Sequence, residues 1–131
     1  MQQAEDFRAE SEALFGLLDG ADTTRFDDPT LFNDWTINAV LQHLQFWNQM
    51  AGLQLTDEAE LSRRLGEVMR HEGGMRGFER AHFNEMGGRD LLESWHEDVA
   101  HTADLFADAD PKARLKWAGP DMSERSSITA R

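Results

Sequence analysis

The sequence predicts an all-α domain, and three observations carry the prediction. Apolar residues recur at i, i+3, i+4 and i+7 in several long segments, the spacing of one buried helix face. Glycine-containing stop signals, Asp19-Gly20, Gly73-Gly74 and Gly87-Gly88, separate those segments. The stretch Trp35–Leu55 carries no formal charge in a chain whose net charge is −12.

Taken in order, Phe7, Leu14, Leu17 and Leu18 set the first helical stripe, and Asp19-Gly20 ends it. Residues 21–34 read as a loop, because Asp27-Asp28-Pro29 is turn chemistry and the residue before a proline is pushed away from helix. Thr36 is placed to cap the second helix through its hydroxyl. That helix would bury Ile37, Val40, Leu41, Leu44, Trp47 and Ala51, with Asn38, Gln42, Gln45 and Gln49 on its other side. Thr56-Asp57-Glu58 predicts a third helix, with a capping hydroxyl, first-turn acids, and Leu61, Leu65, Val68 and Met69 as its core face. Gly73-Gly74 breaks it, and a shorter helical piece runs through Phe78, Ala81 and His82 to Met86. Gly87-Gly88 ends that piece. The last long helix spans Asp90 to Phe106, with Leu91, Leu92, Trp95, Val99, Thr102, Leu105 and Phe106 in register. After Pro111 any strand is expected within about residues 112–119, with Gly119-Pro120-Asp121 as a turn. Ser126–Arg131 has the pattern of a capped first helical turn.

At 131 residues the chain is one domain with room for a hydrophobic core. It has no cysteine, which excludes disulfides and protein thiolate chemistry. Its first residues lack the basic and apolar regions of a signal peptide. The uncharged stretch holds seven amide or imidazole side chains, which hydrocarbon would not accept, so no membrane span is expected and the cytoplasm is the expected compartment. Residues 1–34 hold nine acids and two bases, while residues 111–131 hold five bases and two acids. Such an acidic chain repels phosphate backbones, and no basic stripe is interleaved with aromatics, so nucleic acid is not an expected partner.

His43 interrupts the second helix. Its neighbours at i±3 and i±4 are Ala39, Val40, Phe46 and Trp47, all apolar. An imidazole among them needs a partner for each ring nitrogen: a carbonyl, a carboxylate or a metal ion. Spacing alone favours a hydrogen-bonded core histidine, since one His does not make a metal site.

The pattern Trp35-Thr36 followed by Val40-Leu41-Gln42-His43-Leu44 resembles the signature of the DinB/YfiT-like superfamily. Within it, the chain is similar to the N-terminal domain of mycothiol-dependent maleylpyruvate isomerase. Phe46-Trp47-Asn48, Gly73-Gly74-Met75-Arg76, Phe78-Glu79-Arg80-Ala81 and Lys116–Ser123 look like an actinobacterial subgroup of that superfamily, and the likeness runs from about Phe7 to Arg131. The resemblance implies a four-helix bundle with long crossover connections. It also implies a divalent metal, zinc or nickel, held by three side chains, of which His43 matches one. The other two would lie beyond Arg131, on the helix that Ser126–Arg131 begins, so residues 1–131 would form a metal-binding domain incomplete at its C-terminus. The implied chemistry is isomerisation or S-transfer of a small-molecule substrate with mycothiol or a similar thiol as cosubstrate.

Glu97 with His101 and Glu93 with His96 share helix faces but read as solvated surface, because Trp95 and Val99 own the buried side. His71 reads as a helix C-terminal residue. Arg76 and Arg80 follow the glycine break and are candidates for binding an anionic substrate, against a plainer reading as surface arginines. A missing bundle helix would leave Leu14, Leu44, Trp47, Trp95 and Val99 around a gap, which predicts a homodimer or a weakened fold. The rival reading of the whole chain is a non-catalytic helical binding or dimerisation module.

Overall fold

Caps fix where the helices begin. In the computed structural model, which describes residues 2–31 and 34–107 with the backbone of 114–115 and 122–123, Thr36 accepts the Ala39 amide on its hydroxyl at 3.0 Å. The expected cap is therefore present, and α2 runs from Ile37 to Thr56. It is preceded by α1 (Gln2–Asp19) and a short 3-10 helix (Thr23–Arg25), and followed by α3 (Glu58–Arg70), α4 (Gly74–His82) and α5 (Gly88–Ala107). Two two-residue strands, β1 (Arg114–Leu115) and β2 (Met122–Ser123), pair antiparallel. Among the described residues the regular structure is all-helical apart from this pair and an isolated bridge between Pro29 and Thr36. β2 lies beyond the window expected for strands, since an antiparallel partner has to come from the far side of the connecting residues. The expected turn at 119–121 and helix start at 126–131 fall outside the described residues.

α5 packs most extensively against α2 and α1, while α3 and α4 pack on α2 and on each other. Two apolar clusters result. One joins Phe7, Phe26, Leu41, Leu91, Leu92, Trp95, Val99 and Phe106, and the other joins Phe46, Met50, Leu61 and Phe83. α2 contributes to both, Leu41 and Ala51 to the first, Phe46 and Met50 to the second. This corrects the expected division of α2 into an apolar side and an amide side. Gln42, Gln45 and Asn48 are buried because neighbours cover the helix on two sides. Gln42 donates to the Met86 carbonyl at 3.0 Å, and Gln45 donates to Ser94 and Asp98. A buried amide that meets such partners holds helices together rather than facing water.

Other boundaries differ for local reasons. Leu17 is 76% exposed and Met69 87% exposed, so neither belongs to its expected core face. Asp57, not Thr56, caps α3, accepting the Glu60 amide at 3.1 Å, while the Thr56 hydroxyl donates to the Gly52 carbonyl inside α2. α4 stops at His82, short of Met86, because Asn84 and Glu85 both take left-handed conformations. Gly88 is the first residue of α5 rather than the end of the preceding piece. Leu14, Leu44 and Trp95 do line a groove of about 250 Å³ between α1, α2 and α5, but Val99 is fully buried and Trp47 turns to Glu79 on α4, so neither lines it.

Candidate functional site

α2 and α4 meet at a buried carboxylate. Glu79 is 0% exposed. Its Oε2 accepts from His43 Nδ1 at 2.7 Å and from Trp47 Nε1 at 2.7 Å. His43 and Trp47 stand one turn apart on α2, which lets both reach one oxygen. The other oxygen, Oε1, is paired with the Arg76 guanidinium from the preceding turn of α4. Burying an unpaired carboxylate is strongly unfavourable, and here three donors and one positive charge compensate it.

The arrangement orients His43. Because Nδ1 donates to the carboxylate, the neutral ring presents its Nε2 lone pair, and Nε2 bonds no group among the described residues. The ring is 31% exposed, so it stays accessible. Trp35 meets it edge-on with ring centroids 5.6 Å apart. The Arg76 guanidinium lies 4.6 Å from the centroid of the Trp35 ring, a cation–π contact. A carboxylate behind a histidine is the usual way to fix the tautomer and raise the basicity of a metal-ligating imidazole.

Trp35 and Arg76 also border a cleft of about 640 Å³ that reaches Thr36, Asn38, Gln42 and Arg80. Both candidate arginines thus line one cleft. Arg76 is engaged with Glu79 and Trp35, whereas the Arg80 side chain is 64% exposed and lies 3.3 Å from Glu85. The cleft floor is braced by Asn38, which donates to Asp27 at 2.8 Å and accepts the Gly88 amide at 2.8 Å. Gly87 is required there, since a Cβ would come within 2.7 Å of the Asn38 amide. Asp34 and Glu85, both on the cleft wall, have positive φ, 59° and 58°. Backbone strain of this kind collects where a site is shaped.

Three of the other four histidines make local contacts. His71 Nδ1 accepts the Gly73 amide at 3.1 Å and closes the turn after α3. His96 stacks on Phe15 at 3.7 Å and bonds Glu12 at 2.7 Å, tying α5 to α1. His82 donates to Gln49 Oε1 at 3.1 Å, and burial together with the nearby Arg64 charge pushes its pKa down. His101 is exposed, as are Glu93 and Glu97. Among the described residues no group of three His, Cys, Asp or Glu side chains is arranged to hold a metal ion. None of their helices is long and apolar enough to cross a membrane.

Glu79 is the residue that sequence reading passed over. The signal was weak: Glu79 stands beside Phe78 and one turn before Phe83, but its other neighbours at i±3 are Arg76 and His82, so it lacked the all-apolar surroundings that marked His43.

The family model described as the mycothiol maleylpyruvate isomerase N-terminal domain matches residues 7–131. The chain belongs to this family. Similar curated proteins include two from Mycobacterium tuberculosis, in strains H37Rv and CDC 1551 / Oshkosh, both called uncharacterized proteins. Each is 28% identical over 126 residues, covering 96% of this chain and 49% of the relative. The chain thus spans about half the length of the curated relatives it matches. No solved structure matches it significantly. Family membership makes a mycothiol-related, DinB-like domain the frame for the His43–Glu79 pair.

Proposed function

We propose that this domain is the metal-binding part of an enzyme that isomerises or S-transfers a small anionic substrate with a low-molecular-weight thiol of the mycothiol type. The observation that carries the reading is the buried Glu79 behind His43, which leaves Nε2 as a ligand atom. Two consequences follow for these residues. Trp47 and Arg76 hold the carboxylate still, so the imidazole keeps one orientation. Arg76 and Arg80 are the two cationic side chains lining the adjoining cleft, beside Asp27, Asp34 and Glu85, and on this reading they take a substrate carboxylate. When bound, zinc or nickel supplies Lewis acidity or lowers the pKa of a coordinated thiol or water. One histidine does not make a site, so on this reading the remaining ligands lie outside the described residues. We place the protein in the cytoplasm, where such thiols are kept reduced.

Calorimetric titration of zinc and of nickel into the full gene product tests this, with and without His43→Ala. Tight binding by the full product that His43→Ala abolishes supports the proposal. Binding indifferent to His43 overturns it.

A second reading, a helical docking or dimerisation module, is favoured by the groove at Leu14 and Leu44 and by exposed Leu17 on the same helix as Leu14. A sedimentation profile showing a homodimer, together with no metal binding by the full product, would select it.

A further inference from the structure

A second cavity, of about 420 Å³, lies between α2, α3, α4 and α5. Neither His43 nor Glu79 lines it, so it stands apart from the proposed metal site. Its size falls in the range of small-molecule pockets. Gly52, Leu53 and Leu105 supply an apolar wall. The polar wall holds two groups that packing leaves unsatisfied.

Arg64 is the first. Its side chain is only 23% exposed, yet its ion-pair contact is Nε to Glu60 at the long distance of 3.8 Å. Arg63 takes that carboxylate instead, donating from Nε at 2.6 Å and from Nη2 at 3.1 Å. A largely covered guanidinium without a close anion is poised to accept one. Asn48 is the second. It is 3% exposed, and its amide bonds no side chain or backbone group among the described residues. A buried amide normally has partners, and Asn48 borders this cavity as well as the groove between α1, α2 and α5.

The remaining polar wall decides which end is anionic. Asp98 accepts Gln45 at 2.6 Å and Gln49 at 2.9 Å, and Gln49 in turn accepts from His82. Asp98 repels an anion on the α5 side, beside the exposed His101, which leaves the Arg64 side for the negative charge. His82 borders that charge, with Glu67 opposing Arg64's effect on it. Burial, and after it the Arg64 charge, hold its pKa down, so an anion beside Arg64 would raise it.

We infer that this cavity is a binding site for a small monocarboxylate, its carboxylate held by Arg64 and Asn48 and its apolar tail against Leu53 and Leu105. The inference needs neither a metal nor His43.

Sodium butyrate is the probe, titrated into the 131-residue chain at fixed ionic strength and followed by nitrogen-15 NMR, with sodium chloride and butanol as controls. Expected are saturable shifts of the Asn48 side-chain amide and the His82 and His101 rings, with a rise in the His82 titration midpoint. Neither control should reproduce them, and Arg64→Gln should weaken binding by about tenfold or more. Non-saturating shifts, equal binding of butanol, or unchanged affinity in a folded Arg64→Gln chain would overturn the assignment. Should Arg64→Gln unfold, Asn48→Asp decides. A negative charge on the wall should abolish butyrate binding, and unaltered binding would overturn the site.

Discussion

Two carboxylates carried by the helices packed on α2 receive its side chains, and they are treated differently. Glu79 on α4 is fully buried and takes a histidine, an indole and a guanidinium. Asp98 on α5 is half-buried and takes only the neutral amides of Gln45 and Gln49. The amide donors tie α2 to α5, and the atom that set leaves over, Gln45 Oε1, is buried. The atom the Glu79 set leaves over, His43 Nε2, belongs to a ring that stays accessible. The comparison teaches that burial of a charge is not itself a functional sign. What marks the site is a donor whose second nitrogen the surrounding residues leave open.

The sharpest way to break that contrast is to remove each carboxylate. Glu79→Ala strands a partly buried arginine and two ring donors, and should destabilise the chain by about 3–5 kcal/mol in urea unfolding. Asp98→Ala frees two amides beside the 420 Å³ cavity, and should cost about 1–2 kcal/mol. Equal losses would mean that the two clusters play one structural role.

The glycines beside each cluster give the next test. Gly87→Ala drives a methyl into the doubly bonded Asn38 amide, 2.7 Å away, and should cost about 1–3 kcal/mol. Gly52→Ala meets only the Leu105 methyl at 3.2 Å, which can give, and the gain in helix propensity offsets part of the contact. Its change should be smaller than that of Gly87→Ala in the same melts. Thr36→Ala, which removes the cap that sets where His43 stands on α2, should cost about 1 kcal/mol.

The smallest effect is in pH. His82 belongs to the amide side of the comparison, and its folded pKa is lowered, chiefly by burial. The unfolded chain therefore takes up its proton first, and stability falls as pH drops below the ordinary histidine value of about 6.5. The fall ends once pH passes the lowered folded pKa. His82→Gln should flatten the stability profile in that window, and a profile identical to wild type would remove His82 from the account.

Much of this was legible in the sequence because it is local. The Thr36 cap, the stop at Asp19-Gly20, the break near Gly73-Gly74 and the α5 stripe from Leu91 to Phe106 depend on neighbours within a turn or two. His43 stood out for the same reason. What escaped depends on what packs against what. The amides of α2 read as a solvent face because their period is helical, and only the presence of α5 on one side and α3 and α4 on the other buries them. Leu17 and Met69 lie on stripes that continue past their neighbours' edge. Glu79 was quoted within a motif yet unexplained, because its partners lie 36 and 32 residues away on α2.

The central claim is that Glu79 fixes His43 with its proton on Nδ1. Nitrogen-15 NMR of the imidazole reads this directly, at about pH 8, where an ordinary histidine is neutral. The account predicts a protonated Nδ1 and a bare Nε2 in the wild-type chain, and loss of that single tautomer in Glu79→Gln. A wild-type His43 carrying its proton on Nε2 would contradict it.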